Sequence, residues 1–294
     1  MDARSDIREF LTTRRARITP EQAGLPAYGG ANRRVKGLRR EEVSMLAGIS
    51  VEYYTRLERG NVTGVSEDVI EGITRALQLD EAEHQHLIDL VRAAGPTRPS
   101  RRRQPQERVR PGVQRILDNM ADTPAIVRNA RLDVLAANHL GAAFYAPMYD
   151  DPARPVNAAR FVFLSRAAKD FFVDWDTIAN DTVSILRAEA GRDPYDRNLS
   201  DLIGELSTRS DDFRVRWASH NVKQHISGVK RFHHPVVGDL TLDYEVLDLA
   251  ADPGQSLLVY TAEPGSPSIR ALQLLASWIS TEDGRIYPSA VPPD

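Results

Sequence analysis

One stretch constrains this chain more than any other. Arg39 to Gly60 reads Arg-Arg-Glu-Glu-Val-Ser-Met-Leu-Ala-Gly-Ile-Ser-Val-Glu-Tyr-Tyr-Thr-Arg-Leu-Glu-Arg-Gly. Val43, Leu46 and Ala47 recur at helical spacing and make one apolar face. Ala47 is small, and Gly48 accepts the positive φ that a side chain resists, so the chain can turn sharply there. Ile49 plugs the corner. Ser50 suits an N-cap, because its hydroxyl can accept from a free N–H of the next turn. Tyr54 and Leu57, three apart, face inward, and Gly60 fits a left-handed stop. The pattern predicts two short helices joined at Gly48.

More helices surround this pair. Ile7, Phe10 and Leu11 mark a first helix within Ile7–Arg17. Ser66 caps another, with Val69, Ile70, Ile73 and Leu77 on one face. Asp80 and Glu83 form a capping box ahead of Leu87, Leu90 and Val91. A small all-helical domain ending near Gly95 follows. Its corner is a helix-turn-helix, whose second helix enters the major groove of DNA. The residues left facing outward are Ser50, Val51, Glu52, Tyr53, Thr55 and Arg56, with Arg39 and Arg40 at the start of the first helix. Between Arg14 and Arg40 stand eight basic residues and one acid, Glu21. Such a cluster beside a reading helix suits phosphate neutralisation.

Residues 39–60 resemble the lambda-repressor/Cro-like, or XRE-type, regulators. The resemblance assigns the DNA-facing edge to Ser50–Tyr53 and Thr55–Arg56. It puts Arg40 where the family often has Gln and Ser44 where it usually has Ala.

Composition fits a bipartite chain. Its 294 residues suggest two domains, 1–95 and 107–294. Residues 96–106, rich in Pro and Arg, read as an extended linker. It is either a plain tether or a source of phosphate contacts through Arg101, Arg102 and Arg103. Net charge is −3 overall, but +4 over residues 1–110 and −7 beyond. Cysteine is absent, which excludes disulfides and thiolate metal sites. No run approaches the ~20 apolar residues of a membrane helix. The N-terminal residues do not form a signal peptide, so a cytoplasmic location is expected.

The second domain reads as helix, two strands, helices, three strands. Pro111 opens a helix with Val113, Ile116, Leu117 and Met120 inward. Ala125–Arg128 and Leu132–Ala136 are strands, and Asn138–Tyr145 a short helix. Helices are expected over Phe161–Phe172, Trp175–Ala190, Leu199–Leu206 and around Phe213–Trp217. Strands return at Val229–His234, Leu240–Leu247 and Ser256–Thr261, with a hairpin turn at Gly238-Asp239. Leu240, Leu242, Tyr244 and Val246 alternate as one buried face of an antiparallel sheet. The whole chain is therefore α+β: an all-helical domain followed by a PAS-like one, a small antiparallel sheet with helices enclosing a pocket.

The runs Leu202-Ile-Gly-Glu-Leu-Ser-Thr-Arg-Ser, Phe213-Arg-Val-Arg-Trp-Ala-Ser-His and Tyr260-Thr-Ala-Glu-Pro-Gly-Ser-Pro-Ser resemble the MmyB-like regulators. The resemblance implies a one-component regulator, bound to operator DNA, whose C-terminal domain holds a small apolar or lipid-like effector, fatty-acid-like molecules among the candidates. A homodimer would place two reading helices on half-sites one DNA turn apart, ~34 Å. Candidate ligand-wall residues are Phe144, Tyr145, Phe161, Phe163, Phe172, Trp175, Phe213, Trp217, Tyr244 and Tyr260, although each alone is more often core than ligand wall. Arg216 and His220, one helical turn apart, could hold a carboxylate or form a surface ion pair. The alternative is an adaptor whose C-terminal domain binds a protein partner. No enzyme motif is present. No metal or cofactor is expected: His220 and His225 are five apart, and His233 and His234 point to opposite faces of a strand.

Overall fold

The computed structural model describes residues 3–25, 35–95, 108–218 and 227–281. They fall into two compact units. One draws on Met1–Arg101, Arg187–Gly204 and Val215–Gln224, the other on Arg102–Leu186, Glu205–Arg214 and His225–Asp294.

The first unit begins with five helices: α1 (Ala3–Arg17), α2 (Arg40–Ala47), α3 (Val51–Glu58), α4 (Glu67–Ala76) and α5 (Glu81–Ala94). Ile7, Phe10, Leu11, Val43, Tyr54, Leu57, Ile73 and Leu87 form its core. Gly48 holds φ +70°, and the Ser50 hydroxyl accepts from the Tyr53 N–H at 3.0 Å. Ser66 and Asp80 cap α4 and α5 in the same way. Close packing of α2 on α4 rests on Gly72, where a Cβ would come within 2.6 Å of the Ala47 carbonyl oxygen. Ser44 is buried beside this crossing and donates back to the Arg40 carbonyl at 2.7 Å. Its hydroxyl is thereby satisfied without a partner across the interface.

Several of the clustered arginines turn inward. Arg14 is 3 % exposed and pairs with Glu83 at 3.0 Å. Arg15 pairs with buried Glu58 at 2.7 Å and donates to the Leu38 carbonyl. Part of the basic cluster is thus committed to the fold rather than to phosphate. Arg33, Arg34 and the linker 96–106 lie outside the described residues.

The second unit contains α6 (Pro111–Asp118), β1 (Ala125–Asn129), β2 (Val134–Ala137), α7 (His139–Phe144), α8 (Ala146–Tyr149), α9 (Ala158–Leu164) and α10 (Ala167–Phe171). Then come α11 (Trp175–Arg192), α12 (Arg197–Arg209) and α13 (Asp211–Ala218), whose segments are shared between the units, followed by β3 (Ser227–His234), β4 (Gly238–Asp248), β5 (Gln255–Thr261) and α14 (Pro267–Thr281). The five strands form one antiparallel sheet in the order β2-β1-β5-β4-β3. One face carries Ile126, Phe232, Leu240, Leu242, Tyr244 and Tyr260 into the main core. On the other, Ala125, Val127, Leu257 and Val259 pack against Val113 and Leu117 of α6. The architecture is α+β, as the sequence indicates.

Details differ from expectation for physical reasons. Phe161–Phe172 is not one helix, because Ser165 is extended (φ −95°, ψ 131°) and separates α9 from α10. The break lets Phe161, Phe171 and Phe172 all reach the core, with Phe172 bridging to Phe232. Ile116 is 56 % exposed, since Val113, Leu117 and Met120 are the side that packs on the sheet. The hairpin turn is Pro235–Val237, and Gly238 already pairs with His234 while taking φ +75°. Helix α14 has no counterpart in the sequence reading. It starts at Pro267, the Ser266 hydroxyl accepts from the Ile269 N–H, and Leu272 and Leu275 are buried.

Candidate functional site

Among the described residues, expected site residues come together at two places in the fold. The first is the outer side of α3. Tyr54 and Leu57 are buried, which forces Val51, Glu52 and Arg56 outward. Val51, Glu52, Thr55 and Arg56, with Arg59 and Asn61, line a shallow open groove. The Arg56 guanidinium lies 4.9 Å from the Tyr53 ring centroid, and the Tyr53 hydroxyl reaches the Gly64 carbonyl at 3.4 Å. The cation is held at the surface by an aromatic face rather than by a carboxylate. Ser50 is exposed beside it. Arg40 is half-exposed and its Nε donates to Glu58, the same carboxylate that receives Arg15. Arg39 is partly exposed and contacts Glu41 at 3.4 Å. Arg59 and Asn61 escaped the sequence reading because they follow the helix, where only the left-handed Gly60 marks the return of the chain.

The second place is a partly open cavity of about 50 Å³ in the second unit. Ile126, Met148, Phe161, Val162, Phe172, Ile178, Ile185 and Leu258 supply its apolar walls, and Arg128, Tyr145, Asp181, Thr182, Lys230, Tyr244 and Tyr260 its polar lining. The Tyr145 and Tyr260 hydroxyls are 2.5 Å apart. Burial pushes the Tyr145 phenol up to about 12 and also raises that of Tyr260 well above its ordinary value, so both remain protonated. Burial lowers the Arg128 guanidinium from its ordinary value. The Lys230 ammonium is pushed down to about 7, first by burial and then by Arg128, with Asp181 opposing.

Of the expected ligand-wall residues, Tyr145, Phe161, Phe172, Tyr244 and Tyr260 converge on this cavity. Phe144 is fully buried among Phe171, Phe232 and Tyr260. Phe163 packs on Phe213 and Trp175, whose indole N–H donates to the Val162 carbonyl at 3.0 Å. Arg216 and Trp217 belong to the first unit, where the Arg187 guanidinium lies 4.1 Å from the Trp217 ring centroid. His220 and His225 lie outside the described residues. His233 faces Asp239 at the surface while His234 is buried against the Ala143 carbonyl. Among the described residues no group of three potential metal ligands converges, and no helix is long and apolar enough to cross a membrane.

Arg128, Asp181, Thr182 and Lys230 line the cavity without belonging to the aromatic set expected from the sequence. A signal existed: Arg128 and Lys230 stand at inward positions of alternating strands, where a cation is out of place unless a cavity receives it.

Comparison with known families gives two matches. A helix-turn-helix domain matches residues 7–87, and the MmyB-like transcription regulator ligand binding domain matches residues 109–275, more than half of the chain. No curated protein matches the chain.

Proposed function

The chain belongs to the MmyB-like transcription regulators, with a helix-turn-helix domain ahead of the ligand-binding domain, and from this we propose that it is a one-component, sequence-specific regulator with a reader at 1–95, a tether at 96–106 and a sensor at 107–294. The observation that carries the reading is the outward edge of α3. Its inner side is spent on the core through Tyr54 and Leu57, which leaves Glu52, Thr55 and Arg56 as polar groups with no structural task in the unit's interior. Arg56 suits a guanine edge and Glu52 a cytosine N4. Arg39 suits a phosphate, and Arg40, whose Nε is given to Glu58, can offer its remaining guanidinium N–H groups.

The sensor's effector is, on this reading, an apolar molecule with an anionic head, a medium-chain fatty acid being the simplest. Arg128 supplies a permanent cation, the tyrosine hydroxyls supply donors, and Ile126, Met148, Val162, Ile178 and Leu258 would flank a tail. A cavity of about 50 Å³ holds on the order of four waters. That is room for a carboxylate head, whereas whole ligand pockets run to ~300 Å³ or more. The walls must part to admit a tail. This movement is the physical link between occupancy and the rest of the protein. A differential affinity of ~1–3 kcal/mol between two states changes operator binding about 5- to 150-fold. The regulator acts as a cytoplasmic homodimer on paired half-sites.

The test is selection of genomic DNA fragments by the full-length protein, with and without decanoate. Enrichment of one palindromic motif, altered in strength by decanoate, supports the proposal. Fragment binding without sequence preference, in either condition, overturns it.

A further inference from the structure

Strand β3 alternates, so Lys230 shares the inward side with Phe232 and His234, while Val229, Arg231 and His233 face out. Its Nζ lies 4.0 Å from the Tyr244 ring centroid and 5.9 Å from that of Tyr260. The other charged groups around it are Arg128 from β1 and Asp181 from α11. Burial and the like charge of Arg128 hold the amine near pKa 7, so about half of it carries a free lone pair at neutral pH. A desolvated lysine beside another cation in an apolar site is the arrangement that makes an amine nucleophilic.

We propose that Lys230 captures an apolar aldehyde in this cavity as an imine. The inference rests on the cavity being the effector site. The lone pair of Nζ attacks the carbonyl carbon, the C=O π pair moves to oxygen, and a proton passes from nitrogen to that oxygen. The carbinolamine then forms the C=N bond as hydroxide leaves, and hydroxide takes the second nitrogen proton. One water is released per imine, and nothing is oxidised or reduced. The protonated tyrosines can hydrogen-bond the oxygen as it departs. Apolar walls favour the condensed product by excluding the water that would hydrolyse it.

The experiment treats full-length protein at pH 7 with decanal and sodium cyanoborohydride, which reduces an imine to a stable secondary amine. Alkylated lysines are mapped by peptide mass spectrometry. The expected result is labelling of Lys230 at least about tenfold faster than Lys36, Lys169 or Lys223, because a desolvated amine beside another cation is the more nucleophilic one. Decanoate should slow this labelling, and the adduct should vanish in Lys230→Arg while circular dichroism stays unchanged. Decanoate binding is measured in parallel by native mass spectrometry. Equal labelling of all four lysines, or retained decanoate binding with no Lys230 adduct, overturns imine capture alone. Loss of both decanoate and decanal binding overturns the cavity as effector site and the capture with it.

Discussion

Single residues divide by what surrounds them. Arg56 is exposed and rests on one aromatic ring, so little of the fold depends on it. Arg56→Ala should leave the unfolding midpoint within about 0.5 kcal/mol and weaken operator binding by about 1–3 kcal/mol, read by gel shift at constant salt. Arg15 and Arg40 look similar in sequence, yet both converge on Glu58, which is 1 % exposed. Lys230 carries a different consequence. Its folded-state pKa of about 7 lies below the ordinary ~10.4 of an unfolded chain. Between those values the unfolded state binds the extra proton, so stability rises with pH across this window. Lys230→Met should lack that rise. Urea midpoints of the two proteins at pH 7 and pH 9.5 measure it, and a parallel response would show that the amine is not desolvated.

At the scale of elements, local chemistry was legible and tertiary choices were not. Ser50, Ser66 and Asp80 cap their helices as their side chains dictate, and Gly48 turns left-handed as only glycine does cheaply. The alternation of Leu240, Leu242 and Tyr244 named the buried side of β4. Periodicity did not reveal the break at Ser165, because a run of phenylalanines fits one helix as well as two. Nor did it reveal α14, where Ser266-Pro267 was available as a start signal. The crossing of α2 and α4 is a further example, since Gly72 reads as an ordinary weak point in a helix until Ala47 is found against it. Gly72→Ala should force the helices apart and cost about 1–3 kcal/mol. Thermal unfolding of the full chain measures this, and a neutral result would mean that the helices yield freely.

For the whole molecule, net charge changes from +4 over residues 1–110 to −7 beyond them. The basic part approaches a polyanion, and the acidic part is repelled from it. Decanoate that binds the folded protein alone should raise stability by about 2.7 kcal/mol at a hundredfold excess over Kd. Chemical denaturation of wild type and Arg128→Gln checks this, with the variant expected to lose most of the gain. An equal gain in both would remove Arg128 from the site. The sequence by itself determined the helix-turn-helix corner, its outward edge and the α+β class, because these rest on contacts between residues close along the chain and on short-period patterning, while the family followed from the likeness of whole phrases. Only the tertiary structure decided which arginines are spent on buried carboxylates, which aromatics border the cavity, and that Arg128 and Lys230 meet inside it. Those outcomes depend on elements distant in sequence packing together, α1 on α3 and α5 for the arginines and β1 and β3 within one sheet for the cavity. No local periodicity encodes that pairing.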